Sequence, residues 1–335
     1  MKTLTCITPG QLSYKQIAKP EPRIGYSIIR VRRIGICGTD LHAYQGTQPF
    51  FSYPRVLGHE LSGEVVDGID NFQVGEKVTV VPYFNCGRCI ACRSEKPNCC
   101  TDIAVCGVHI DGGMVEFLQV PSDKLIFASE LSFDELALVE PLAIGAHGVR
   151  RANVKPGEFV AVIGAGPIGL GVMDFARIAG GRVIAIDINQ QRLNFCKERS
   201  NVHHTINVTE VNAFDELKNI TNGDFPTVVI DATGSQRAIN DGFKYLAHGG
   251  RYVLVGLQKN EISVSHPEFH KREATLMSSR NATREDFEYV MAAMRRREVD
   301  PLNYITHRVS FDEVANEFPT WLDPENGVIK AMVNL

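Results

Sequence analysis

The stretch from Phe159 to Asp187 constrains this chain more than any other. FVAVIG (Phe159–Gly164) is an unbroken apolar run, as expected of a parallel strand covered on both faces. PIGLGVMDFARIA follows at helical spacing, and RVIAID (Arg182–Asp187) is a second apolar run. The alternation continues through helical QQRLNFCKERS, strand-like HHTINV and TVVIDAT, helical AINDGFKYLA and strand-like GRYVLVGL. Strands alternating with helices from about Glu140 to Met277 predict an α/β fold with a doubly wound parallel sheet.

Between the first strand and its helix stands GAGPIG (Gly164–Gly169), a G-x-G-x-x-G turn. Gly164 permits the tight turn, Gly166 lets backbone approach a pyrophosphate, and Gly169 allows helix and strand to pack closely. The helix start offers free N–H groups to phosphate, and Pro167 and Ile168 there are read as cofactor-binding. Asp187 follows at the spacing of a ribose-binding carboxylate, so NAD is expected over NADP. Arg192 weakens that preference slightly or stacks on adenine. Val255, Gly256 and Leu257, at the end of GRYVLVGL, are also read as cofactor-binding. The bland alternative is a packing turn only, which the strand, helix and acid together oppose.

Residues before about 142 read differently. SIIRVRRIGI, GEKVTVVPY and GGMVEFLQVP are short strand-like runs bounded by turn residues, which suggests a barrel-like or sandwich β domain. After 277 come an amphipathic helix around REDFEYVMAAMRRR and a strand-like end, GVIKAMVNL. This stretch is too small to stand alone and is expected to complete the N-terminal β domain. The expected division is therefore 1–142, 143–277 and 278–335.

Five of nine cysteines fall between Cys86 and Cys100. Such a tight cluster in a long chain reads as metal ligation in a reducing cytosol. Cys86, Cys89, Cys92 and Cys100 can complete a closed tetrahedral zinc shell, which makes a structural lobe at about 86–100. Cys99 competes with Cys100, and an iron–sulfur cluster is the rival thiolate-held group. Lys and Arg number 35 against 39 Asp and Glu, for a formal net charge of −4, so no global basic field invites nucleic acid. No apolar run reaches membrane-spanning length, and MKTLTCITPG lacks a secretory apolar core; a cytoplasmic protein is expected.

Three further patches carry groups suited to an open metal site: GICGTDLH (Cys37, Thr39, Asp40, His42), GHE (His59, Glu60) and EPLAIGAH (Glu140, His147). Each alone is unremarkable, since a lone His or Cys is more often packed than ligating. Together they supply a thiolate, an imidazole and one or two carboxylates, enough for a catalytic zinc with a vacant position. GICGTD-x-H, GHE-x-x-G, the four-cysteine lobe, EPLA and GAGPIG occur in that order. In this the chain resembles the zinc-dependent medium-chain alcohol and polyol dehydrogenases over essentially its whole length. Within them it resembles the sorbitol and threonine dehydrogenase branch. QPFFSYPRVLGHE, GVHIDGGMVEFL, HPEFHKREATLMSSRNAT and YITHR carry a narrower likeness to bacterial sugar-acid dehydrogenases.

The resemblance implies a GroES-like catalytic domain beside a Rossmann NAD-binding domain. It implies two zinc ions, with Cys37 and His59 holding the catalytic one and Glu60 or Glu140 completing the shell. Thr39 then accepts the substrate proton, which the nicotinamide ribose passes to His42, and hydride moves to NAD. For substrate the implied candidates are Glu140, Arg280, a guanidinium for a carboxylate, and His109. Ala43 stands where sorbitol dehydrogenases place an aromatic, with Tyr44 next, which argues against sorbitol. The expected reaction oxidises C5 of a hexonate, L-galactonate first and L-gulonate next. A neutral polyol or L-threonine dehydrogenase is the alternative, and a zinc-binding interaction module the non-enzyme one. The resemblance also implies a homo-oligomer, dimer or tetramer, without nucleic-acid or membrane partners.

Overall fold

The apolar runs after Glu140 fold as the parallel sheet their pattern predicts. Six strands lie in the order His204–Asn207, Arg182–Asp187, Phe159–Ile163, Val228–Asp231, Arg251–Leu254 and Thr275–Ser278, all parallel. The chain is described by a computed structural model covering residues 1–49, 51–67 and 73–335. Val160, Ala161, Val162, Val183, Ile184, Ala185, Val228, Val229 and Ile230 are fully buried, because helices cover both faces of the central strands. Helix Pro167–Ile178 begins with Gly166 at its N-cap and Pro in its first turn, where a missing N–H costs no hydrogen bond. The sheet and its helices fall within one compact unit, Pro141–Ala282.

The second unit joins Met1–Glu140 to Thr283–Leu335. The alternating SIIRVRRIGI lies in strand Tyr26–Ile36, the longest of its sheet. That sheet runs Leu125–Phe127, Lys77–Val80, Glu60–Asp67, Tyr26–Ile36, Lys330–Asn334 and Ile305–Ser310, and Phe117–Pro121 also pairs with Tyr26–Ile36. The C-terminal strand is thus antiparallel to the long strand, with Ala331 opposite Ile36. The grouping begins at Thr283, a few residues after the break that the sequence suggests at 278. A smaller sheet of Gln11–Gln16, Lys2–Thr8 and Arg55–Val56 packs nearby, its Leu4, Cys6 and Val56 sharing a core with Ile29, Val31, Ile34, Leu61 and Phe318. Each such side chain contributes roughly 1.5–3 kcal/mol on full burial.

Two helices carry groups of the site. Gly38–Tyr44 starts directly after the long strand, and Val139–Ala152 holds Glu140 in its first turn.

Candidate active site

Cys37 caps helix Gly38–Tyr44. Its Sγ accepts the Thr39 N–H at 3.1 Å, and Asp40 returns the bond by accepting the Cys37 N–H at 3.0 Å. Asp40 also accepts the Gly58 N–H at 3.1 Å and is 1% exposed, so one buried carboxylate fastens the Cys37 turn to the Gly58–His59 turn. The fastening brings His59 Nε2 to 3.1 Å from Cys37 Sγ and its Nδ1 to 3.9 Å from Asp40 Oδ1. His59 Nδ1 is buried and makes no hydrogen bond. One ligand atom each from Cys37, Asp40 and His59 lie within 4.8 Å of one another. Burial alone would lower the His59 pKa, yet the charges of Cys37, Asp40 and Glu140 push it well above the ordinary imidazole range. The pocket therefore favours positive charge. An ion between Sγ and Nε2 fits it, with the Asp40 carboxylate 3.9 Å behind the imidazole.

Glu60 and Glu140 each have a hydrogen-bonding partner of their own. Neither belongs to that 4.8 Å group. Glu60 is fully buried, and both its oxygens accept from Lys330 Nζ, at 2.6 and 2.7 Å. Lys330 is 1% exposed and donates its third bond to Ile36 O at 3.1 Å. Gly35 makes the room, since a Cβ there would lie 2.0 Å from Glu60 Oε2. Glu140, 4% exposed, accepts a short hydrogen bond from the Tyr83 hydroxyl. Burial lifts its carboxyl to about 7, and Glu60 adds to the rise while His59, Tyr83 and Lys330 oppose it.

The sequence motifs do not reveal Tyr83 or Lys330, or the fastening role of Asp40. The one legible sign of Lys330 is a lysine inside the apolar run VIKAMV. Thr39 is half-buried on the short helix, and exposed His42 faces Thr47, with Nδ1 to Oγ1 at 3.2 Å. His109 is exposed and accepts the Val105 N–H at 3.1 Å, while Arg280 is exposed in the Pro141–Ala282 unit.

The second cluster is Cys86, Cys89, Cys92 and Cys100, whose sulfurs all lie within 4.8 Å. Cys89 Sγ stands 3.5 Å from Cys92 Sγ and 3.8 Å from Cys100 Sγ. Four sulfurs about 2.3 Å from a central zinc would be about 3.8 Å apart, so the group fits a tetrahedral ion. Cys100 is buried and accepts the N–H groups of Cys86 and Asp102, while Cys99 is exposed outside the group. Backbone N–H groups of Cys92 and Thr101 hold the Cys89 thiol down to about 5, ready as a thiolate.

In the Pro141–Ala282 unit the glycine turn has the form its spacing predicts. Gly164 adopts φ +103°, and a Cβ on Gly169 would lie 1.8 Å from Gly164 O. Asp187 reaches back across the turn: Oδ2 accepts the Ala165 N–H at 2.6 Å and Oδ1 the Asn189 N–H at 2.8 Å. A Cβ on Gly166 would sit 4.0 Å from Arg192 Nη1, which puts that guanidinium beside the helix start formed by Pro167 and Ile168. Val255 and Gly256 donate to Asp231 O at 2.9 and 3.1 Å, and Leu257 is 66% exposed.

The alcohol dehydrogenase GroES-like domain family matches residues 24–130, and the zinc-binding dehydrogenase family matches residues 167–296. The chain is 42% identical to L-galactonate-5-dehydrogenase of Escherichia coli K12, over 99% of this chain and 98% of that one. The chain belongs to the zinc-type medium-chain polyol dehydrogenases. This dehydrogenase is an oxidoreductase acting on CH–OH groups. It is 30% identical to sorbitol dehydrogenase of Bacillus subtilis, covering 94% of this chain and 92% of that one. The solved RspB alcohol dehydrogenase of Escherichia coli CFT073, complexed with NADH, matches with TM-score 0.94 and 30% identity, over 100% of this chain and 99% of that one. No described helix is long and apolar enough to cross a membrane.

Proposed function

We propose that this dehydrogenase oxidises a secondary alcohol of a sugar acid with NAD, and that L-galactonate is its first substrate, with L-gulonate second. The observation that carries the reading is the pairing of half-buried Cys37 with buried His59, backed by buried Asp40. Cys37, His59 and a glutamate would hold the catalytic zinc, and the Cys86–Cys100 lobe a structural one. Bound zinc supplies Lewis acidity toward the substrate hydroxyl, and bound NAD accepts the hydride. The chain does the rest. Cys37 and His59 fix the position at which the alcohol oxygen is received, and Asp40 ties their two turns together. Thr39 Oγ1 accepts the hydroxyl proton as it releases its own toward His42, whose imidazole, with Nδ1 near Thr47 Oγ1, passes it to solvent from the exposed side of the short helix. Asp187 retains acceptor capacity for ribose hydroxyls while bracing the glycine turn, and its charge opposes a 2′-phosphate.

The 42% identity to a sugar-acid dehydrogenase supports an acid substrate, and an arginine such as Arg280 suits its carboxylate. The 30% identity to a sorbitol dehydrogenase favours the second reading, a neutral polyol. A homo-oligomer in the cytoplasm accompanies either reading; strand Thr275–Ser278, at the sheet edge and largely exposed, supports self-association, and a thiol-rich metal lobe suits a reducing compartment. Incubating the purified chain with NAD and a panel of aldonates, polyols and L-threonine tests the substrate. NADH absorbance should rise with L-galactonate at a kcat/KM above that of any neutral polyol. Turnover of polyols alone would remove the sugar-acid assignment.

A further inference from the structure

The carboxyl ends of the parallel strands hold a buried acid that the proposed reaction does not use. Asp231 ends strand Val228–Asp231, with Ile163 opposite it on one side and Leu254 on the other, and it is fully buried. Its Oδ1 accepts the N–H groups of Thr233 and Gly234, each at 3.1 Å, and its Oδ2 accepts the Thr233 hydroxyl at 2.8 Å. Its main-chain oxygen accepts the N–H groups of Val255 and Gly256 at 2.9 and 3.1 Å. One residue thus gathers the turns that follow two neighbouring strands. The turns also touch each other. A Cβ on Gly256 would lie 2.1 Å from Gly234 N, and one on Gly234, at φ +63°, would lie 2.5 Å from Leu257 O. Thr233 and Leu257 remain exposed.

The place of these turns points to a ligand. The chain runs from Phe159–Ile163 to strands on one side of it, then returns to Val228–Asp231 on the other. Sheets of this kind bind ligands outside the carboxyl ends of the strands at such a reversal. Thr233 lies there: a Cβ on Gly164 would sit 2.9 Å from its methyl carbon, and the Ala232 N–H donates to Ile163 O at 2.8 Å. The Thr233 hydroxyl donates to Asp231 and accepts the Ser235 N–H at 2.9 Å, which leaves its methyl toward the glycine turn. We infer that Asp231 is a positioning residue for NAD, holding the Thr233–Gly234 and Val255–Leu257 turns as one preformed wall beside the glycine turn. The inference rests on the NAD reading above and adds what holds that wall in place. A preformed wall spares the cofactor the cost of ordering it.

Hydrogen exchange and NADH fluorescence titration, on the zinc-loaded chain without alcohol substrate, test it. In the native chain the amides of Thr233, Gly234, Val255 and Gly256 should be protected before NADH is added. Asp231→Asn keeps the size of the side chain but replaces one acceptor with a donor, which then faces the Thr233 hydroxyl. Exchange at Thr233 and Gly234 should quicken, and NADH should restore their protection. A wall formed in about a tenth of the molecules raises the apparent NADH Kd about tenfold. Asp134→Asn, in the other unit, should lower the thermal midpoint and leave the NADH Kd at its native value; an equal loss there would trace the effect to general loosening and overturn the inference. Unprotected turn amides in the native chain without NADH would overturn it whether or not Asp231→Asn folds. So would a native Kd in Asp231→Asn, or a weaker one with the turn amides still protected. A native chain that binds no NADH would overturn the NAD reading itself, and this assignment with it.

Discussion

Asp40 does three things with one carboxylate: it closes the cap of helix Gly38–Tyr44, ties that cap to Gly58, and lies behind His59. Thr39, by contrast, contributes a hydroxyl on a half-buried surface. In the proposed reaction Asp40 braces the turns that would hold the ion, and Thr39 would move the proton. Thr39→Val should leave zinc content and KM unchanged and lower kcat by about 10²–10⁴-fold, the usual range for a positioned proton acceptor; steady-state kinetics beside metal analysis reads both. Gly35 has a spatial role of its own. Gly35→Ala places a methyl 2.0 Å from Glu60 Oε2 and forces the Glu60–Lys330 pair apart. Overpacking of this kind costs on the order of 1–3 kcal/mol, measurable by denaturant unfolding. Cys37, His59 and the four lobe cysteines were legible because thiol and imidazole are rare and their spacing is informative. Asp40 was visible as a residue but not as a fastening, since its partners are backbone N–H groups with no sequence signature. Tyr83 lies far from Glu140 in sequence, and nothing in PYFN marks it.

At the scale of elements, apolar periodicity located the strands of the parallel sheet because both faces are covered, so each reads as a continuous run. The turn between Phe159–Ile163 and Pro167–Ile178 was equally plain, since a tight crossing admits few residues other than glycine. Gly169→Ala would set a methyl 1.8 Å from Gly164 O, and NAD binding should be lost by calorimetry while both zinc ions stay. Less legible were the short helix after Ile36 and the helix Val139–Ala152, because their functional groups fall in the first turn and obscure the apolar face. Helix Phe133–Ala137 is tied to two strands through Asp134, which lies 2.6 Å from Arg33 and 2.8 Å from Arg308. Burial raises its carboxyl, but the two guanidinium groups outweigh that and hold it below the usual carboxylate range. Its stabilisation is thus present above the unfolded-state pKa and lost as pH falls through the folded one. Asp134→Asn should destabilise the fold at pH 7 by no more than about 1 kcal/mol for a partly exposed network, read as a lower thermal midpoint, and its difference from the native chain should shrink as pH falls through the folded pKa.

For the whole molecule, the chain's order of motifs was more informative than any single motif. A β-rich unit interrupted by a parallel sheet was readable from the change of period near Glu140 and the return to a strand-like end at GVIKAMVNL. What the pattern could not supply was the pairing of Glu60 with Lys330, which arrives from the C-terminal strand, 270 residues away. The central claim is that Cys37 and His59 hold a zinc on which oxidation depends, separate from the zinc of the cysteine lobe. Zinc content and NADH formation from L-galactonate, measured side by side on the native chain and Cys37→Ser, test it most directly. The account predicts two zincs with turnover in the first, and one zinc with almost none in the second. Two zincs and undiminished turnover in Cys37→Ser would contradict it.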